Sequence, residues 1–486
     1  LENNTTALLV RSVAAGWKKG SVLAVDAGVH LAAIAKILKK NKTEYFDETI
    51  QLPVSLFGGP FEGLEIQHRS PKANAAYITR HIIDTCLLTH AHLDHINGFV
   101  INTASLPGSR PKRLAGLPRT IEAVKTHIFN NIIWPNLSDE NNGAGLITYM
   151  RLVEGGSPAL GDGDGKGYVE ICEGLGVKAW SVSHGHCIEK HSHRGSNAGL
   201  TPLREIHESV TRLHTRANST GQVPSRRERR DTVSTISSQG TSHDLLRTNS
   251  NEETFCVYDS SAFFIRDFST GTEILVFGDV EPDSISLSPR NKYIWSEAAP
   301  KIVSGALRGI FIECSYDDSQ STDFLFGHLA PRFLIEELTA LAREVEDVSR
   351  GQSNDRVSIK RKRSSHPIPD DYRQKSPRKS YSLDFDAMSP GASYPFKQSG
   401  EHRVQPTRDE GNPEGNSNEN EGVIPMRDKD DLPLKGLKIV IIHMKDKLRD
   451  GPLIEDTILE QLLEYEMKVQ LGCEFVISHV GMSLYL

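Results

Sequence analysis

Short apolar runs, each closed by Gly, Asp, Ser or His, recur along the chain and predict strands. Ala7 to Val13 and Ser21 to Val25 read as a strand pair around the turn Lys18-Lys19-Gly20. Ile82 to Leu88, Val177 to Val182, Glu273 to Phe277, Leu437 to Ile442 and Phe475 to Ser478 predict further strands, and Phe311 to Tyr316 a strand and its end. Helical spacing appears between them. Leu31, Ile34 and Leu38 share one face of His30 to Lys39, and Ile121 to Trp134 predicts another helix. Pro331 suits the first turn of a helix. Pro452 opens one with Leu453, Ile454, Ile458, Leu459, Leu462 and Leu463 on its apolar face. Strands alternating with helices predict an α/β domain.

Two segments lose this pattern. Arg194 to Glu253 is rich in Ser, Thr, Arg and Gln; only Leu203, Ile206, Val210 and Leu213 keep helical spacing, and Ala217 to Ser250 reads as disordered. Glu346 to Pro433 carries Ser, Pro, Asn, Lys and Glu with few core residues. Neither buries enough apolar surface to offset the entropy of ordering it. Both fall between strands that end in candidate ligands. They are therefore expected to be largely disordered insertions in a single metallohydrolase domain spanning 1–486.

The chain has 486 residues, a formal net charge of −7 and 37% hydrophobic residues, enough for one large domain with insertions. Mild acidity gives no basic footprint for nucleic acid. No run of about 18 apolar residues predicts a membrane span. The six cysteines show no CxxC pairing, which reads as a reduced, cytoplasmic setting. The chain opens on Leu1 rather than Met and reads as a fragment.

The chemistry concentrates in His90-Ala91-His92-Leu93-Asp94-His95, directly after an apolar strand and expected on a strand-end loop. Imidazoles and carboxylates are costly to desolvate without a partner. Their nitrogen and oxygen donors are what Zn²⁺ accepts. The spacing lets His90 and His92 converge on one ion while Asp94 and His95 face a second. Two metals about 3.5–4 Å apart share one hydroxide and activate it toward a phosphate ester. A third ligand for the first ion is expected in Ser183-His184-Gly185-His186, at a strand end, with His184 and His186 both open.

This cluster resembles the metal-binding motif of the metallo-β-lactamase superfamily. The longer run His90-Ala-His-Leu-Asp-His-Ile-Asn-Gly-Phe-Val-Ile-Asn-Thr-Ala104 resembles the signature of the class II cyclic-nucleotide phosphodiesterases. Phe99 stands where that family prefers a smaller aliphatic residue, and Thr103 where it has Ser. The resemblance implies a metallo-β-lactamase-like αββα sandwich and assigns roles by position. Asp26 would be a buried orienting carboxylate. The pattern Ser-His-Gly points to His184 as metal ligand. Asp279, after Glu273 to Phe277, would bridge the two ions, and His443 would complete the second with Asp94 and His95. Glu-Cys-Ser…Gly-His-Leu places His328 near the scissile phosphate, as general acid or phosphate contact, without counting it as a ligand.

What the resemblance implies is hydrolysis of cyclic AMP, and of cyclic GMP, to the 5′-monophosphate by a hydroxide activated between two Zn²⁺ ions. Asp94 would orient the nucleophile as well as bind metal, and His328 would protonate the leaving oxygen. The alternatives are an RNA 3′-end-processing phosphodiesterase of the same fold and a metal-binding scaffold without turnover. Arg229-Arg230-Asp231-Thr232 and Arg361-Lys362-Arg363-Ser364-Ser365 resemble sites for a basophilic kinase. Lys360-Arg361-Lys362-Arg363 also reads as a nuclear-import signal.

Overall fold

The structure, a computed structural model, describes residues 5–40, 51–105, 110–161, 163–189, 254–362 and 432–486. The first half of the chain runs β1 (Leu8–Arg11), β2 (Val22–Val25), α1 (Leu31–Lys40), β3 (Val54–Ser55), β4 (Glu65–Ile66), α2 (Pro71–Tyr77), β5 (Ile83–Leu87), α3 (Leu93–Ser105), β6 (Lys112–Gly116), α4 (Pro118–Ala123) and β7 (Ile147–Arg151). The second half runs β8 (Val169–Cys172), β9 (Leu175–Glu189), β10 (Thr254–Asp267), β11 (Glu273–Phe277), α5 (Asn291–Val303), β12 (Leu307–Glu313), α6 (Pro331–Lys362), β13 (Lys438–Ile442), α7 (Ile454–Val469) and β14 (Glu474–Ile477).

Two mixed sheets result. One has the order β1-β2-β5-β6-β7, the other β14-β13-β12-β11-β10-β9-β8. Three core clusters define the layers. Leu23, Val25, Leu87 and Ala115 of the first sheet meet Val177, Ala179, Phe263, Ile265 and Val276 of the second. The alternate residues point outward. Val22, Ala24, Cys86 and Leu114 pack on Ile34 of α1, Ile96 of α3 and Ile121 of α4. Phe264, Leu275, Ile310 and Ile439 pack on Trp295 of α5, Leu334 and Leu338 of α6, and Leu462 of α7. Helix, sheet, sheet and helix therefore follow in order, the αββα sandwich. Each fully buried Leu, Ile or Phe contributes roughly 1.5–3 kcal/mol toward holding the layers together.

The parallel strands β2, β5, β11, β12 and β13 sit inside these sheets and appear in the sequence as plain apolar runs. Several elements differ from the sequence expectation. β9 runs on through His184 and His186 to Glu189, because β10 pairs with it along its length. The helix expected over Ile121 to Trp134 instead starts at Pro118 and ends in a π-helical turn at Ile128. α6 continues beyond Glu346 to Lys362, so helix extends into the segment read as disordered. Cys86, Cys172 and Cys314 are buried free thiols. Among the described residues, no helix is long and apolar enough to cross a membrane.

Residues Leu1–Gly351 and Asp428–Leu486 form one compact unit and Gln352–Arg427 a second, of which α6 to Lys362 is described. Thr232, Arg363 and Ser364 lie outside the described residues.

Candidate metal centre

Five strands bring their C-terminal ends to one edge of the sandwich, and each delivers a polar side chain. β2 ends at Asp26, whose φ of 55° turns the chain sharply. Its buried carboxylate accepts from Thr89 N and Thr89 Oγ1, both at 2.8 Å, and from His95 Nδ1 at 2.7 Å. β5 ends at the histidine motif. Asp94 and His95 stand in the first turn of α3 rather than on the expected loop. Gly28 allows this: a Cβ there would lie 2.1 Å from the Asp94 carbonyl oxygen. β11 ends at Asp279, β12 at Glu313 and β13 at His443, the last with φ 59°. β9 contributes His184 from within the strand. His186 is exposed although it lies two residues on, because Gly185 at φ +77° breaks the extended alternation.

Two overlapping sets of donors result. His90, His92, His184 and Asp279 form one; Asp94, His95, Asp279 and His443 form the other; in each the donor atoms lie within 4.8 Å of one another. Asp279 Oδ2 is 3.7 Å from His90 Nε2, 3.5 Å from His184 Nε2 and 3.4 Å from His443 Nε2. Asp279 Oδ1 is 3.2 Å from His95 Nε2, and Asp94 Oδ2 is 3.6 Å from His443 Nε2. Ligands bonded to a tetrahedral Zn²⁺ at about 2.0–2.1 Å stand about 3.3 Å apart, so these separations suit a metal.

Two further observations fit a cation. The buried Nε2 atoms of His95 and His443 have no hydrogen-bond partner, although Asp279 is close. An unpaired buried ring nitrogen costs free energy, which a metal bond would remove. Their Nδ1 atoms, by contrast, are held: His95 by Asp26 and His443 by Thr6 Oγ1 at 2.8 Å. This is the outer hydrogen bond that orients a metal-binding imidazole.

Electrostatics agrees. Burial lowers His184 to about 4 and holds His90 well below the ordinary histidine value. His443 and His92 are also lowered, chiefly by burial. These rings are neutral near pH 7, with lone pairs available. His95 is the exception. Burial works against its charge, yet the carboxylates of Asp279 and Asp26 outweigh burial and raise it well above the ordinary value. Burial likewise opposes ionisation of Asp279, and the charge and hydrogen bonding of His95 outweigh it and lower its carboxyl well below the ordinary range.

His328 lies beside both sets, its ring 4.8 Å from that of His184 and 5.6 Å from that of His443. Its Nδ1 faces Glu313 Oε1 at 2.9 Å and Oε2 at 3.0 Å, and Lys445 Nζ donates to its Nε2 at 2.7 Å. Glu313 also accepts from Val280 N at 2.8 Å and Ser315 Oγ at 2.5 Å. His184, Glu313 and His328 form a third donor group, but hydrogen bonds already occupy Glu313. Sequence reasoning gave no role to Glu313 or Lys445, although both adjoin singled-out residues. Phe99 and Thr103, the two departures from the family signature, are buried in α3, Phe99 within the core between the helices and the first sheet.

Comparison with known proteins identifies the family and the fold. The family model of the class-II cAMP phosphodiesterases matches residues 15–159 and 196–371. A 3′,5′-cyclic-nucleotide phosphodiesterase of Schizosaccharomyces pombe is 27% identical over 327 residues, covering 67% of this chain and 68% of its own. One of Candida albicans is 28% identical over 348 residues, covering 67% of this chain and 74% of its own. The crystal structure of unliganded yeast PDE1 superposes with a TM-score of 0.54 at 18% identity, covering 99% of this chain and 94% of that one, and shows a shared fold. The chain belongs to the class-II cAMP phosphodiesterases, a family of hydrolases.

Proposed function

We propose that this chain hydrolyses 3′,5′-cyclic AMP, and cyclic GMP, to the nucleoside 5′-monophosphate at a pair of Zn²⁺ ions. In this reading His90, His92 and His184 hold one ion, Asp94, His95 and His443 hold the other, and Asp279 bridges them. The observation that carries it is the position of Asp279, whose two oxygens lie within 3.7 Å of nitrogens from both sets. One shared carboxylate between two imidazole groups suits two cations, whose mutual repulsion its charge reduces.

Bound there, the cations would lower the pKa of a shared water and neutralise charge on the phosphate oxygens. The chain's own residues do the rest. Asp94, half-buried beside the exposed His92, has a carboxylate at the open side of the centre and orients the attacking water. Asp26 and Thr6 fix the rings of His95 and His443. Glu313 holds the proton of His328 on Nδ1, which leaves Nε2 to accept from Lys445. In this reading the proton that Lys445 Nζ directs toward His328 Nε2 is the one the pair would deliver to O3′ as the P–O3′ bond breaks. Removing that proton donor at a poor leaving group costs about 10²–10⁴-fold.

The test compares cyclic AMP, cyclic GMP and an RNA bearing a 3′ extension with zinc-loaded protein. Turnover of the cyclic nucleotides with the RNA left intact is expected. Trimming of the RNA with no turnover of either cyclic nucleotide overturns the reading.

A further inference from the structure

Phe326 combines two properties that folding alone does not favour. Its backbone lies in the left-handed region at φ 53°, an outlier for a bulky side chain, and the ring is 67% exposed. Such strain persists only where the surroundings fix it, and it clusters at ligand-binding positions. The fixing contact is the next residue. Gly327 is wedged against β9: a Cβ there would lie 2.6 Å from Gly185 N and 2.6 Å from the His184 carbonyl carbon. The Gly327 carbonyl oxygen accepts from His184 Nδ1 at 2.9 Å. Phe326 is thus tied to the ring of a candidate metal ligand. Phe324 is also exposed, its ring 6.1 Å from that of Phe326.

Another exposed aromatic side chain lies beside the same donor set, next to His92, whose ring is 5.1 Å from that of His184. Tyr258 sits where the register of β10 against β9 shifts between Val257 and Asp259. A bulge of this kind re-aims a side chain. The Tyr258 ring is 44% exposed and 6.3 Å from that of His92. Phe326, whose neighbour Gly327 packs on His184, and Tyr258, whose ring lies by His92, therefore both adjoin the donor set of His90, His92, His184 and Asp279.

We infer that Phe326 is the stacking platform for the base of the cyclic nucleotide, with Tyr258 as the second wall. This rests on the hydrolase reading above and adds the residues that recognise the base. A ring face binds a purine by overlap without reading its hydrogen-bonding edge, and one base–aromatic stack is worth about 10- to 100-fold in affinity.

The test uses Phe326→Gly, which removes the ring and suits the left-handed backbone, beside Phe326→Trp and Tyr258→Ala. Substrates are cyclic AMP and its base-free counterpart, methyl riboside 3′,5′-cyclic phosphate. Phe326→Gly should raise KM for cyclic AMP about 10- to 100-fold, with kcat nearly unchanged and kcat/KM for the base-free substrate untouched. Phe326→Trp should restore KM, and Tyr258→Ala should shift it in the same direction as Phe326→Gly. If wild-type protein turns over cyclic AMP and Phe326→Gly leaves KM unchanged, or loses equally on both substrates, the stacking role is overturned while the hydrolase reading stands. Wild-type protein that turns over neither cyclic phosphate overturns the hydrolase reading and the stacking role with it.

Discussion

His95 Nδ1 lies 2.7 Å from Asp26 Oδ2, and both side chains are fully buried. The pair joins the turn after β2 to the first turn of α3, two elements far apart in sequence. It also leaves His95 Nε2 bare toward Asp279. Asp26→Ala should therefore weaken the metal site that contains His95 by about 10- to 100-fold, as loss of an orienting partner does. Chelator competition measures this. The same substitution strands Thr89 N–H and the His95 ring, so the denaturation midpoint should fall by the equivalent of about 1–3 kcal/mol. Unchanged zinc affinity would show that Asp26 holds only the fold.

His328 is hydrogen-bonded to Glu313 and Lys445 rather than left bare like His95 and His443. His328→Ala is expected to keep full metal content and to lose about 10²–10⁴-fold in rate on cyclic AMP. The loss should shrink for a nitrophenyl diester, whose leaving group needs no proton. Elemental analysis alongside the two rates checks this. A fall in metal content together with the rate would make His328 a ligand.

His184 is buried with Nε2 3.5 Å from Asp279 Oδ2, whereas His186 is exposed. His184→Ala should lose zinc from the set it shares with His90 and His92. His186→Ala should retain it. The reverse pattern would place the ligand two residues further along β9.

Chelation should also register in stability. Without a cation, the buried Nε2 atoms of His95 and His443 stay unpaired beside Asp279. A metal that binds only the folded state stabilises it by mass action, by roughly 2.7 kcal/mol when present at a hundred times its Kd. Dialysis against a chelator should lower Tm, and added Zn²⁺ should restore both Tm and activity. A Tm indifferent to chelation would mean that the donor cluster gains nothing from a cation.

Much of the candidate donor cluster could be read from sequence because its residues follow strands buried on both faces. Glu273–Phe277 and Lys438–Ile442 are almost wholly apolar, so Asp279 and His443 stand out beyond them. β10 was hidden for the opposite reason. Asp259, Ser260 and Ser261 interrupt its apolar pattern, and Ser261 Oγ is spent on the Thr89 carbonyl beside the histidine motif. The start of α3 was obscured by Gly98 and two Asn residues, poor helix formers. Gly98 is there because a Cβ would lie 2.7 Å from the Ala27 carbonyl oxygen. Glu313 and Lys445 were visible as residues but not as partners, since their contacts to His328 span 15 and 117 positions. The different burial of His184 and His186 turns on one backbone angle at Gly185, which no side-chain pattern encodes.

The most direct test of the central claim is metal stoichiometry measured against activity. Stripped protein is titrated with Zn²⁺, and bound metal and cyclic AMP turnover are followed together in wild-type and Asp279→Ala protein. Because Asp279 lies within reach of both donor sets, wild-type protein should reach full rate only near two ions per chain. Asp279→Ala should bind both ions more weakly and lose turnover. Full activity at one ion per chain, or an Asp279→Ala protein that holds two ions as tightly as wild type, would contradict a bridged pair.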